Sequence, residues 1–99
     1  IDYSDHYSHT DRNITPYNFL QFSNSQWERI YMRHYYQNRL RHNDIRRLIE
    51  GAGFTIIEEK TIVPDNAQEM IATLNLSETY NSYPINDLLA TKGHFVARK

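Results

Sequence analysis

A chain of ninety-nine residues makes one small domain, and at that size folding buries only about 60–65% of the unfolded surface, so stability is slender without a partner. Eleven basic against twelve acidic residues leave a formal net charge of −1, which gives no general pull toward nucleic acid or an acidic membrane and speaks against both as partners. With no cysteine there is no disulfide framework, no thiolate metal site and no cysteine nucleophile, a composition that fits a cytoplasmic protein.

No apolar run approaches the roughly 18–20 residues that span a bilayer, and the first residues show neither a basic nor an apolar leader region. The aromatic content is high, with eight tyrosines, four phenylalanines and one tryptophan. Such rings bury large areas while a phenol still reaches water, which suits a pocket or an interface.

Ile1-Asp2-Tyr3-Ser4-Asp5-His6-Tyr7 has no initiator methionine and reads as a strand running out into a polar loop, as though a longer chain had been opened near a strand end. Asp11-Arg12-Asn13-Ile14-Thr15-Pro16 has turn chemistry, because proline fixes its own dihedral and drives Thr15 toward extended geometry. A short helical turn over 17–22 follows. Ser23 or Ser25 caps a helix carrying Trp27, Ile30, Tyr31 and His34 on one face and ending near Tyr35.

The next helix is expected over 43–52, with Asn43 as cap, Asp44 placed for the helix dipole, and an apolar stripe of Ile45, Leu48, Ile49 and Ala52 facing the core. Gly53 suits the left-handed residue that ends a helix before Phe54. Residues 54–63 are rich in β-branched side chains and read as a strand stopped by Pro64. Asp65 or Asn66 caps a helix with Ala67, Met70, Ile71 and Leu74 on one face. Residues 75–84 are polar and irregular, with Tyr80 and Tyr83 able to pack down. Asn86 caps a last short turn through Ala90, and Gly93 admits a final strand over 94–98.

These elements form an α+β fragment, helices packed on a small antiparallel sheet, in a single segment. Its parts are 1–42 (loop and helices), 43–63 (helix and strand), 64–91 (helical excursion) and 92–99 (final strand). His6 and His9 stand at a His-x-x-His spacing flanked by Asp5 and Asp11. Imidazole and carboxylate together are adequate zinc ligands, but no fourth-ligand pattern stands nearby, so the pair is not read as a metal site. An acid/base role and a plain solvated loop remain open for the pair. Glu58 and Glu59 are adjacent in a strand and point to opposite faces, which argues against a joint acid/base role.

The ordered set Asp5-His6-Tyr7-Ser8-His9, Asn18-Phe19-Leu20, Phe22-Ser23, Trp27, Tyr36-Gln37-Asn38-Arg39-Leu40-Arg41, Ala52-Gly53-Phe54 and His94-Phe95-Val96-Ala97-Arg98 resembles the C-terminal portion of class I S-adenosylmethionine-dependent methyltransferases. The resemblance covers nearly the whole chain. It implies a Rossmann-like α/β parent whose fifth strand leads through a helix to the sixth, with the seventh turning back antiparallel between them. It also implies that His6 and His9 lie on the acceptor side as candidate proton acceptors, and that Tyr35, Tyr36, Asn38 and Arg39 line the acceptor pocket. The competing reading, which the residues favour, is structural: Tyr36 and Leu40 pack into the domain while Asn38 and Arg39 tie a loop to the backbone.

The family cradles its cofactor on a glycine-rich loop after the first strand. Here the glycines are Gly51, Gly53 and Gly93, none in such a loop. The resemblance therefore implies S-adenosylmethionine in a full-length parent, with none bound to this chain, and a missing N-terminal cofactor-binding part as its natural partner. Removal of the fifth strand would leave residues 94–98 with an open edge, through which copies of the chain would pair. The rival reading is an autonomous protein-interaction module using that edge and the aromatic surface.

Overall fold

The computed structural model describes residues 1–31 and 38–99, and of Ile30 and Tyr31 only the backbone. The described residues form an α+β domain of four α-helices and a two-stranded antiparallel sheet: α1 (Asn24–Tyr31), α2 (His42–Gly51), β1 (Thr55–Ile62), α3 (Ala67–Ala72), α4 (Ile85–Leu89) and β2 (Lys92–Arg98), with single 3-10 turns at His6–His9, Asn18–Gln21 and Glu78–Tyr80.

Ser23 starts α1 as expected. Its hydroxyl accepts from the Gln26 N–H at 3.2 Å while the Gln26 side chain accepts from the Ser23 N–H at 2.8 Å, a reciprocal pair that satisfies two otherwise free donors. Helix α2 begins one residue before the expected cap. Arg41 stands at the cap position and its N–H donates to Asp44 at 2.9 Å, so Asn43 lies inside the first turn and donates its own N–H to Asp87 at 2.9 Å. Gly53 ends the helix with φ 94°, a conformation a Cβ would strain.

Strand β1 runs antiparallel to β2, with Thr55 opposite Arg98, Glu59 opposite Phe95 and Ile62 opposite Lys92, and with a bulge between Ile56 and Glu58. The opening residues join the sheet on the far side of β2. Ile1 and Gly93 exchange two hydrogen bonds at 2.7 and 2.8 Å, the Tyr3 N–H donates to Thr91 at 2.8 Å, and Asp2 bridges Lys92 in antiparallel sense. Strand β2 is thus flanked on both sides, over its full length by β1 and at its beginning by 1–3.

The core sits away from this sheet. Tyr17, Phe19, Leu20 and Trp27 pack with Ala67 and Ile71 of α3, Tyr80, and Leu88 and Leu89 of α4, and Met70 and Leu74 close over it. The α3 stripe read from the sequence is therefore a core stripe. The α2 stripe is not: Leu48 is 59% exposed, Ala52 is exposed, and Ile45 and Ile49 are half-buried. Helix α2 instead turns its polar first turn inward. His42 stacks flat on Phe95 with ring centroids 4.3 Å apart, and Arg46 reaches Glu59 at 2.8 Å.

Candidate functional site

Arg41 sets the geometry at the start of α2. It is 1% exposed, its guanidinium donates to the Tyr3 carbonyl at 2.6 Å and to the Arg39 carbonyl at 3.1 Å, and it lies over the rings of Tyr3 and Phe19 at 5.9 and 5.1 Å. Burial lowers its pKa, with the Tyr80 phenol and the Asp87 and Asp44 carboxylates pulling the other way. The rings and carbonyls replace part of the hydration this charge would have outside, and its Nη1 is buried without a hydrogen-bond partner among the described residues. The result is a clamp that holds the end of 1–3 against α2.

Beside the clamp runs a polar chain that the sequence does not announce. The Tyr3 hydroxyl meets His42 Nδ1 at 2.7 Å and His42 Nε2 meets Glu59 at 3.1 Å. A carboxylate only accepts, so Nε2 carries the proton toward Glu59 and Nδ1 accepts from Tyr3 in the neutral ring. Burial, with Asp87 adding to it, pushes the Tyr3 phenol up to about 12. Burial also raises Glu59, but its bonds to Arg46 and His42 outweigh that and hold it below the ordinary value. Gly93 lies beneath the chain: a Cβ there would stand 2.2 Å from the Tyr3 hydroxyl and 2.6 Å from His42 Nδ1.

His6 and His9 sit on the 3-10 turn after Tyr3, capped by Asp5, whose side chain accepts from the Tyr7 N–H at 2.9 Å. Burial raises the Asp5 carboxyl despite that bond. The two imidazoles are neighbours, centroids 5.4 Å apart, and both face Asp2, His6 at 3.8 Å and His9 at 3.6 Å. His9 also lies 3.0 Å from the Ser4 hydroxyl, which donates to Asp2 at 2.6 Å. Burial works to raise the Asp2 carboxyl, yet the two Ser4 bonds and the imidazoles outweigh it and leave it lowered. The sequence flanked this pair with Asp5 and Asp11, but the carboxylate that faces it is Asp2. Among the described residues no group of three or more His, Asp or Glu side chains is placed to hold a metal ion.

Asn38 and Arg39 line a cleft of about 370 Å³, together with Asn24, Trp27, Glu28, Leu40, Asp44, Thr79, Tyr80 and Tyr83. Tyr35 and Tyr36 lie outside the described residues. Arg39 forms the floor of the cleft: its guanidinium donates to the carbonyls of Phe19 and Phe22 and to Asn24, and lies between Trp27 at 5.4 Å and Tyr80 at 5.3 Å. It ties the loop to the backbone and walls the cleft at once. On the far wall the Tyr83 hydroxyl donates to Asp44 at 3.0 Å, and burial with this carboxylate pushes the phenol up to about 12.

Of the glycines, Gly53 stands in the helix-end turn and Gly93 gives room to Tyr3 and His42. Among the described residues no helix is long and apolar enough to cross a membrane. Comparison of the chain with protein-family models, with curated proteins and with solved structures gives no match in any of the three.

Proposed function

We propose that this chain is the C-terminal, acceptor-side part of a class I S-adenosylmethionine-dependent methyltransferase with a Rossmann-like α/β parent fold. One observation carries the reading. Residues 1–3 and β1 both run antiparallel to β2 and lie on its two sides, and the connection between them passes through α2. A reversed last strand between two parallel ones is the order that the sequence resemblance implies for the fifth, seventh and sixth strands.

The side chains suit the acceptor side. His6 and His9 follow residues 1–3 on a short turn and share Asp2, an arrangement able to take a proton from an acceptor hydroxyl or amine. The cleft floored by Arg39 gives shape through aromatic rings and orientation through Asn24 and Asn38. Methyl transfer from an activated sulfonium needs mainly alignment of acceptor and methyl carbon, which is what a rigid cleft supplies. The cofactor is held by the upstream part of the parent.

The test is calorimetry with S-adenosylmethionine on two proteins: the 99-residue chain, and the same chain joined to whatever is encoded upstream of Ile1. The joined protein binds and the short one gives a flat trace. A flat trace from both, or an upstream sequence without a glycine-rich strand-to-helix loop, overturns the reading. The rival, an autonomous interaction module, draws on the exposed Leu48 stripe and the open part of the β2 edge.

A further inference from the structure

Ser4 makes the two histidines of the first turn unequal. It is buried, and its backbone N–H and its hydroxyl both donate to Asp2 Oδ1, at 2.8 and 2.6 Å. The Asp2 carboxyl lies below its ordinary value and is ionised at neutral pH. A carboxylate accepts and never donates, and a serine hydroxyl has one proton to give. With that proton spent on Asp2, the Ser4 oxygen accepts from His9 Nε2, 3.0 Å away. The second neighbour of Nε2 requires the same. It is Asp2 Oδ2 at 3.6 Å, which repels a lone pair and attracts an N–H. The proton of the neutral His9 ring therefore sits on Nε2, and its lone pair sits on Nδ1.

His6 has no such anchor on Asp2. Its Nε2 stands 3.8 Å from Asp2 Oδ2, beyond hydrogen-bond reach, so the carboxylate attracts a charge on that ring without fixing its tautomer. The His9 ring is tied at Nε2, yet its side chain is 54% exposed. The turn that carries it is held by Asp5, whose carbonyl accepts from the Ser8 N–H at 3.0 Å and whose carboxylate accepts from the Tyr7 N–H at 2.9 Å.

We infer that Asp2, Ser4 and His9 form a relay in which Asp2 and Ser4 are positioning residues and His9 Nδ1 is the atom that accepts a proton. A proton arriving at Nδ1 makes the ring an imidazolium. Asp2 meets that charge through Ser4 and directly across 3.6 Å. The part played by Nδ1 in catalysis rests on the methyltransferase reading and narrows it. The acceptor's O–H or N–H bond breaks toward Nδ1, which binds the proton; the pair left on the acceptor atom makes the new bond to the methyl carbon of the sulfonium, and the old C–S pair stays on sulfur. The acceptor is accordingly a hydroxyl or an amine. A carboxylate acceptor has no proton to give up at neutral pH and would stand against the charge of Asp2.

Nitrogen-15 spectroscopy of the imidazoles in the 99-residue chain reads the relay with neither cofactor nor acceptor present. Its failure is therefore distinct from failure of the methyltransferase reading, which shows in the calorimetry. With the imidazoles neutral, the expected result is a single His9 tautomer protonated on Nε2, with a cross-peak from that proton to the Ser4 β-protons. On acidification Nδ1 gains a proton while Nε2 keeps its own. In Ser4→Ala the single tautomer gives way to the mixture that His9 shows in the urea-unfolded chain, with circular dichroism unchanged. Should Ser4→Ala fail to fold, the wild-type spectra with and without urea decide alone. A His9 ring protonated on Nδ1 in the neutral form, a tautomer mixture equal to that in urea, or a tautomer unmoved in a folded Ser4→Ala overturns the proposal.

Discussion

Gly93 does for this chain what no other residue can at that position. It holds no unusual backbone angle, yet the space above its Cα is filled by the Tyr3 hydroxyl and by His42. A methyl group there must push apart two side chains that are hydrogen-bonded to each other, one of which, His42, is stacked on Phe95. Gly93→Ala is therefore expected to cost about 1–3 kcal/mol, the usual range for overpacking a filled site. Urea unfolding of wild type and variant measures it, and a difference below a few tenths of a kcal/mol would show that Tyr3 and His42 simply step aside. The sequence reading assigned Gly93 to opening the strand. Its work is to let the first strand approach the last.

At the scale of elements, α2 and α3 make an instructive pair, since both show apolar residues at spacings of 3, 4 and 7. The α3 stripe is core, with Ala67 and Ile71 buried, and α4 adds Leu88 and Leu89 beside it. The α2 stripe faces water, and Leu48 is 59% exposed while Leu89 is 3% exposed. Leu89→Ala is expected to cost about 2–5 kcal/mol through lost transfer energy and a residual cavity. Leu48→Ala, measured on dilute monomer, is expected to fall within about 0.5 kcal/mol of wild type. Equal losses at the two positions would place the α2 stripe in a core after all.

That contrast marks what the sequence made legible. Periodicity shows which face of a helix is apolar; what covers it depends on contacts distant in the chain. Strand identities, the glycine at the end of α2, the cap at Ser23 and the burial of Tyr80 followed from local chemistry. Arg41 and His42 did not, because charged and polar residues at a helix start read as solvated until the rings and carbonyls that receive them are known. Asp2 was missed beside His6 and His9 for the same reason: nearer carboxylates in the sequence, Asp5 and Asp11, point elsewhere, Asp5 inward to cap its own turn.

For the whole molecule, the buried phenols set a limit at high pH. Tyr3, Tyr17 and Tyr83 are each pushed up to about 12, by burial first and for Tyr3 and Tyr83 by nearby carboxylates as well. The Tyr17 hydroxyl adds a 2.7 Å bond to the Leu89 carbonyl, joining the early chain to α4. In the unfolded chain a phenol ionises near 10. Between about 10 and 12 the unfolded state therefore gives up protons that the folded state retains, and stability falls as pH rises through that window while remaining untouched below it. Ultraviolet titration is expected to show these three phenols ionising together with loss of helical circular dichroism. A smooth ionisation of all eight tyrosines near 10 with the fold intact would contradict it.

The bonds from Ile1 to Gly93 and from Tyr3 to Thr91 also bear on how the molecule assembles. They close a loop of almost the entire chain, and the entropy of such a closure is recovered only when the intervening elements are already in place. Closures of this length slow folding more than they weaken stability. Arg41, on the Tyr3 carbonyl, and the hollow at Gly93 hold this long closure shut.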